Sequence, residues 1–197
     1  MSRLDEEIEL INGLKRGDQN SCKQLVEKYW KELNFLANRL LADESGANDC
    51  VQEVFIKAIN KINSFEGRGS FKAWLHQITV NEALIELRKK SARKEESLDE
   101  FMLEFDETGH YIQSYHGQPA SLDVLQESIE VKQEIQKSID KLPDNFRIIL
   151  ILRDYEGYST KEVAEKINLS EQNVKVRLHR ARLAMRNLLH PVFSEQS

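Results

Sequence analysis

The chain has 197 residues, 40% hydrophobic and 31% charged, which suits one large or two small folded domains. With eight glycines and three prolines in the whole chain, long helices are favoured over a turn-rich β architecture. No apolar run approaches the length of a membrane span and the amino terminus, MSRLDEEIEL, is acidic, so a cytoplasmic protein with no direct membrane insertion is expected.

The two cysteines, Cys22 and Cys50, lack the spacing of a disulfide scaffold or a zinc site, and reduced, half-buried thiols are expected. The net charge is −5, which argues against a nucleic-acid partner until its distribution is considered. Residues 95–130 hold ten acidic side chains and no Lys or Arg, so removing that segment leaves +5 for the remainder. Local fields, not the total, steer a polyanion.

In chain order, Leu4, Ile8, Ile11 and Leu14 mark a first helix that Gly17 and Asp18 interrupt. Leu25, Tyr29, Leu33, Leu36 and Leu40 mark a long second helix, and Val51, Phe55, Ala58 and Ile62 a third. A fourth begins near Ser70, carries Phe71, Trp74, Leu75 and Ile78, and runs into a basic cluster at 88–94. Each stripe makes one apolar face that must be buried against another helix. From 95 to 121 the pattern fails: Gly109, Gly117 and Pro119 punctuate an acidic stretch whose apolar island is 101–105, which reads as a linker. Periodicity resumes at Leu122, Leu125, Ile129, Ile135 and Ile139, and Pro143 suits the first turn of a further helix. The expected fold is all-α: a four-helix domain over 1–94, the linker over 95–121, and a second helical domain over 122–197.

The sharpest local signal is YSTKEVAEKINLSEQNVKVRLHRAR, residues 158–182. Ser159 with Glu162 forms a capping box, Ala164 is small where two helices approach, Asn168 tolerates a left-handed turn, and Ser170 caps a second helix. This predicts a helix-turn-helix over about 159–182. On its second helix Val174, Leu178, Ala181 and Met185 face inward. Gln172, Val176 and His179 face outward, with Asn173, Lys175 and Arg180 beside them and Arg177 and Arg182 at the shoulders. An exposed basic face on that helix is what insertion into a major groove requires, although a solvated basic helix shares the pattern. A helix-turn-helix by itself does not separate repressor, activator and initiation factor.

Residues 48–90 sharpen the choice. Asp49, Gln52 and Glu53 share a polar face opposite Val51, Val54 and Phe55, suited either to solvent or to basic side chains of a partner. The loop Ser64-Phe65-Glu66-Gly67-Arg68-Gly69 sets an aromatic among flexible residues, followed by Phe71 and Trp74 and a basic tail. Aromatics beside cations suit single-stranded DNA, because bases stack on rings while cations hold the backbone. On pattern alone, Phe71, Trp74 and Leu75 read more readily as core than as contact. No phosphate-cradling glycine loop, nucleophile–base pair or metal-ligand cluster is seen, so neither catalysis, cofactor nor metal is expected.

Taken in order, D-x-x-QEVF, SF-x-G, SF-x-x-WL-x-x-I-x-x-N, LR-K-K, then KLP and the helix-turn-helix resemble a sigma factor of the sigma-70 family, in its extracytoplasmic-function (ECF) group. The match covers both domains. The resemblance implies a transcription-initiation factor that brings core RNA polymerase to promoters and opens the DNA, under an anti-sigma factor that also tethers it at the membrane in some members. It implies polymerase binding by the helix at 49–62, through Asp49, Gln52, Glu53, Phe55, Ile56 and Asn60. It implies contact with minus-ten DNA by Ser64, Phe65, Glu66, Gly67, Arg68, Phe71, Trp74, Gln77, Asn81 and Arg88, the loop at 64–70 with Asn81 capturing a flipped base. The helix at 170–189 would read the minus-thirty-five duplex with Ser170, Gln172, Asn173, Lys175, Val176, Arg177, His179, Arg180 and Arg182. The acidic linker would thread the polymerase as an RNA mimic. Ile85 stands where an acid is common and Asn168 where glycine is common, and Asn173 and Val176 occupy positions that vary among subgroups. The competing reading is a signal-sensing, dimeric duplex binder, which has no use for the aromatic loop.

Overall fold

In the computed structural model the described residues are 3–91 and 129–194. Among them all regular structure is helical. The linker at 95–121, its island at 101–105, and Leu122 and Leu125 lie outside the described residues. The chain divides into two compact units, each described by itself.

In the first unit, α1 spans Arg3–Lys15 and α2 spans Gln19–Leu41. Asp18 caps α2, its carboxylate accepting from the backbone NH of Asn20 and Ser21. The expected α2 stripe of Leu25, Tyr29, Leu33, Leu36 and Leu40 is buried throughout. The α1 stripe is corrected in phase. Leu10 and Leu14 are buried whereas Ile8 is 49% exposed, because Ile8 lies about 200° around the helix from Leu10. Gly13 lets α1 cross α2 closely, since a Cβ there would stand 1.9 Å from Ser21 Oγ.

Helix α2 ends at Ala42, which takes left-handed angles (φ 46°, ψ 43°) and returns its NH to Asn38. Asp43 then starts α3 (Glu44–Lys61) by accepting from the Gly46 NH at 3.1 Å, earlier than the apolar stripe alone indicates. Asn34 donates to Asn48 at 2.7 Å and the rings of Trp30 and Phe55 stack at 6.2 Å, so α2 and α3 run antiparallel. After a 3₁₀ turn at Ile62–Ser64, α4 (Phe71–Ser91) buries Phe71, Leu75, Val80, Ala83, Leu84 and Leu87. Cys22 is half-buried as expected, but Cys50 is fully buried; burial, helped by Glu82 and Glu86, pushes its thiol up to about 12.

The second unit contains α5 (Ile129–Asp140), α6 (Asp144–Leu150), α7 (Thr160–Ile167) and α8 (Glu171–Ser194). Pro143 stands at the cap of α6, one residue outside its first turn, and its carbonyl accepts from the Phe146 and Arg147 NH groups at 2.9 Å. Helix α6 continues into a π-helical turn at Ile151–Tyr155. Ile139, Ile149, Ile151, Leu152, Val163, Val174 and Ala181 form the core, all 0% exposed. Arg147 is buried among them, donating to the Leu142 carbonyl at 3.0 Å and pairing with Asp144.

Candidate nucleic-acid and protein interfaces

On α3 the side chains of Asp49, Gln52, Glu53, Ile56 and Asn60 form one exposed stripe at helical spacing, with Ile56 52% exposed amid acids and amides. Phe55 does not join it. It is 5% exposed and its ring faces Trp30, so the expectation that it touches a partner is corrected: it packs the core beneath the stripe.

The loop between α3 and α4 is built on an aromatic step. Phe71 is fully buried, edge-on to Tyr29 at 5.9 Å and stacked with Trp74 at 5.6 Å. Phe65 leans on both, 5.3 Å from Phe71 and 5.4 Å from Trp74, and both outer rings are half-exposed. Phe71 therefore serves as the floor of the cluster, and its expected contact with DNA is corrected for the same reason as that of Phe55. Gly67 and Gly69 take positive φ, 76° and 126° respectively, a region closed to most side chains. Exposed Glu66 pairs with exposed Arg68 at 2.8 Å, and Lys15 of α1 donates to the Phe65 carbonyl at 3.3 Å. Ser64 donates to the Lys61 carbonyl, and Ser70 caps α4 by accepting from the Ala73 NH. Farther along α4, Gln77 donates to the exposed Asn81 at 3.2 Å, and Arg88 is exposed at the basic end.

Ion pairs that no local pattern announces stake α4 to its neighbours. Glu32 accepts from Lys72 and, at 3.0 Å, faces His76. Burial pushes the Glu32 carboxyl up, but the bonds from Lys72 and His76 outweigh it and hold it below its ordinary value. Lys57 meets Glu82 at 2.6 Å, and Lys90 meets Asp43 at 2.5 Å, whose carboxyl is held low chiefly by that bond. The only sequence signal for them is opposite charge at separations of 25 to 47 residues, which carries no periodicity.

In the second unit the capping box is formed, with Ser159 accepting from the Glu162 NH and Glu162 accepting from the Ser159 NH at 2.7 Å. The Ser159 hydrogen bond holds the Glu162 carboxyl low. Asn168 turns the chain in the left-handed region (φ 55°, ψ 51°), and Ser170 caps α8 by accepting from the Asn173 NH. On α8, Val174, Leu178, Ala181 and Met185 are buried. Gln172, Asn173, Lys175, Val176, His179 and Arg182 are exposed, and Arg177 and Arg180 half-buried. Arg182 is bonded through two nitrogens to both carboxylate oxygens of Asp154, at 2.9 and 2.5 Å. The ring of Tyr158 lies under Lys166 at 4.9 Å, and burial pushes its hydroxyl up to about 12.

A helix-turn-helix with an outward polar face, in a chain that also folds a separate four-helix unit, is the architecture of a DNA-binding transcription factor. Residues 25–93 match the family model for Sigma-70 region 2, and residues 132–185 that for Sigma-70, region 4. The chain is 32% identical over 183 residues to the ECF RNA polymerase sigma factor SigW of Bacillus subtilis, covering 91% of this chain and 94% of that one. It is 30% identical over 202 residues to the RNA polymerase sigma-H factor of Pseudomonas aeruginosa, covering 99% of this chain and 100% of that one. Among solved structures it is similar to the sigma factor RpoE of Bartonella quintana, co-crystallised with the anti-sigma factor NepR. There the TM-score is 0.53 at 28% identity, with 85% of this chain and 96% of that one covered. The chain belongs to the ECF group of the sigma-70 family and is a transcription initiation factor.

Proposed function

We propose that the chain binds core RNA polymerase through the α3 stripe of Asp49, Gln52, Glu53, Ile56 and Asn60. Residues 1–94 form the module that docks on the polymerase and opens the minus-ten element, and residues 122–197 the module that reads the minus-thirty-five duplex. The acidic residues 95–121 join them.

The observation that carries this reading is the aromatic step. Phe65 and Trp74 stand half-exposed on a buried Phe71, next to a loop with two left-handed glycines. A protein that only grips duplex DNA has no use for it. Unstacking and flipping a base costs a few kcal/mol, and stacking on an aromatic ring offers about 1–3 kcal/mol per base, so the exposed rings would offset much of that cost without nucleotide hydrolysis. Ser64, Glu66, Gly67 and Arg68 line the rim of that step, with Gln77 and Asn81 farther along α4. On α8, Gln172, Asn173, Lys175, Val176 and His179 face the groove, with Arg177 and Arg180 at the phosphates.

The factor catalyses no reaction; the polymerase supplies the chemistry. Among the described residues no helix is long and apolar enough to cross a membrane, which suits a factor working in the cytoplasm. A relative solved with the anti-sigma factor NepR supports control of this chain by such a partner, which would also hold it at the membrane where that partner is anchored.

The test is reconstitution with core polymerase on a cognate promoter, scored by complex formation and by reactivity of unpaired thymines. Asp49→Ala with Glu53→Ala is expected to abolish complex formation while leaving the second unit folded. Lys175→Ala with Arg180→Ala is expected to spare the complex and weaken upstream-element binding, lowering the salt slope by about one for each phosphate no longer neutralised. Failure of the native chain to join core polymerase would end this reading.

A further inference from the structure

Arg182 carries a cation on the helix assigned to duplex reading, yet its guanidinium is already bonded to a carboxylate of its own unit. Its Nε and Nη2 meet Oδ2 and Oδ1 of Asp154, a fork-to-fork geometry that fixes angle as well as distance. Around α8, Arg182 lies about 70° from the centre of the buried stripe, so it leans toward the body of the unit and away from the face of Gln172 and Val176. Along α8 it sits about 18 Å beyond Ser170, so the helix is fastened at two distant points, one at Ser170 and one at Arg182.

Asp154 belongs to a stiff support. It lies in the π-helical turn Ile151–Tyr155, and the residues after that turn are tied back to it, Glu156 NH to the Ile151 carbonyl and Tyr158 NH to the Leu152 carbonyl, both at 2.9 Å. The Arg153 side chain also bonds the Tyr158 carbonyl. Such turns occur often at functional sites, where one extra residue re-aims a side chain. The apolar stripe of Val174, Leu178, Ala181 and Met185 holds α8 against the core, and the fork to Asp154 adds a directional contact at its shoulder. An exposed ion pair contributes little to folding stability, so the bond is better explained by where it aims the helix than by what it adds to the fold.

We propose that Asp154 and Arg182 are a positioning pair: the carboxylate, acting through the guanidinium fork, sets the angle at which α8 enters the duplex groove. An acidic residue near a polyanion thus promotes binding. The inference rests on the assignment of α8 as the duplex-reading helix, and it makes predictions opposite in sign to those of a phosphate-contacting Arg182.

The test uses the full chain assembled with core polymerase and compares affinity for promoters with an intact or a scrambled upstream element. If the native assembly does not distinguish them, the assignment of α8 itself fails; the variants are read only against a native assembly that does. Asp154→Ala is expected to reduce that discrimination roughly 5- to 10-fold, part of the value of one base contact, although it removes a negative charge. Arg182→Lys, which keeps the charge without the fork, is expected to fall nearly as far as Arg182→Ala, with the salt slope unchanged. The exchange Asp154→Arg with Arg182→Asp is expected to recover part of the discrimination. Should Asp154→Ala abolish cooperative melting of the unit, Asp154→Asn reads the same discrimination in a folded chain. Stronger binding by the Asp154 variants, native behaviour of Arg182→Lys, or a double exchange worse than either single variant would each overturn the proposal.

Discussion

The two units solve different mechanical problems. The second presents a helix: its working side chains point away from the buried stripe of Val174, Leu178, Ala181 and Met185. The first presents a loop, and its outer rings Phe65 and Trp74 rest on Phe71, a fully buried core residue. Exposed residues on α8 can therefore change without disturbing the core beneath them, whereas the loop proposed to open the strands shares its foundation with the fold. In the first unit, ion pairs between residues distant in sequence reinforce that foundation. Lys72, Glu82 and Lys90 tie α4 to α2, α3 and the α3 cap, which a loop hung from α4 requires.

The largest expected effect tests that shared foundation. Phe71→Ala should destabilise the first unit by about 3–5 kcal/mol and abolish promoter opening, leaving amide-exchange protection of α7 and α8 intact. Loss of opening with unchanged exchange protection in α1 to α4 would separate the loop from the core and break the comparison. A smaller effect concerns two turns with the same task. Asn168 and Ala42 both end a helix in left-handed angles, but alanine bears the steric strain without a side chain that relieves it. Ala42→Gly should raise stability by about 0.5–1 kcal/mol in a urea titration, while Asn168→Gly should change little.

The smallest effect is acid sensitivity. Asp18, held low chiefly by the Ser21 hydroxyl, joins Glu32 and Asp43 as carboxyls of the first unit whose folded values lie below the ordinary 3.8 and 4.5. Such groups contribute stability above those ordinary values and lose it as pH falls through the lower folded ones. In the second unit Glu162 is held low in the same way. Amide exchange followed from about pH 5 to pH 3 should therefore show α2 to α4 loosening before α7 and α8. The reverse order would show that capping and the exposed pairs contribute less to the first unit than its apolar stripes do.

Much of this was legible where the deciding contacts are local. The stripes on α2 and α3 follow from helical spacing. The capping box at Ser159, the left-handed Asn168 and the inward face of α8 depend on residues within a few positions of one another. What escaped depends on distance along the chain or on competition between faces. Helix α1 has apolar residues on two faces, and packing against α2 chose Leu10 and Leu14 over Ile8. The burial of Phe55 and Phe71 follows from the rings of Trp30 and Tyr29, which arrive from α2. Arg182 has the composition of a phosphate contact, and its bond to Asp154, 28 residues earlier, depends on a π-helical turn that no pattern in the sequence marks.

The depth of Cys50 has a practical consequence. Its thiol is enclosed between helices and burial keeps it protonated near neutral pH, while Cys22 on α2 is partly open. A maleimide dye at neutral pH should thus mark one defined place, giving the native chain an optical reporter without engineering.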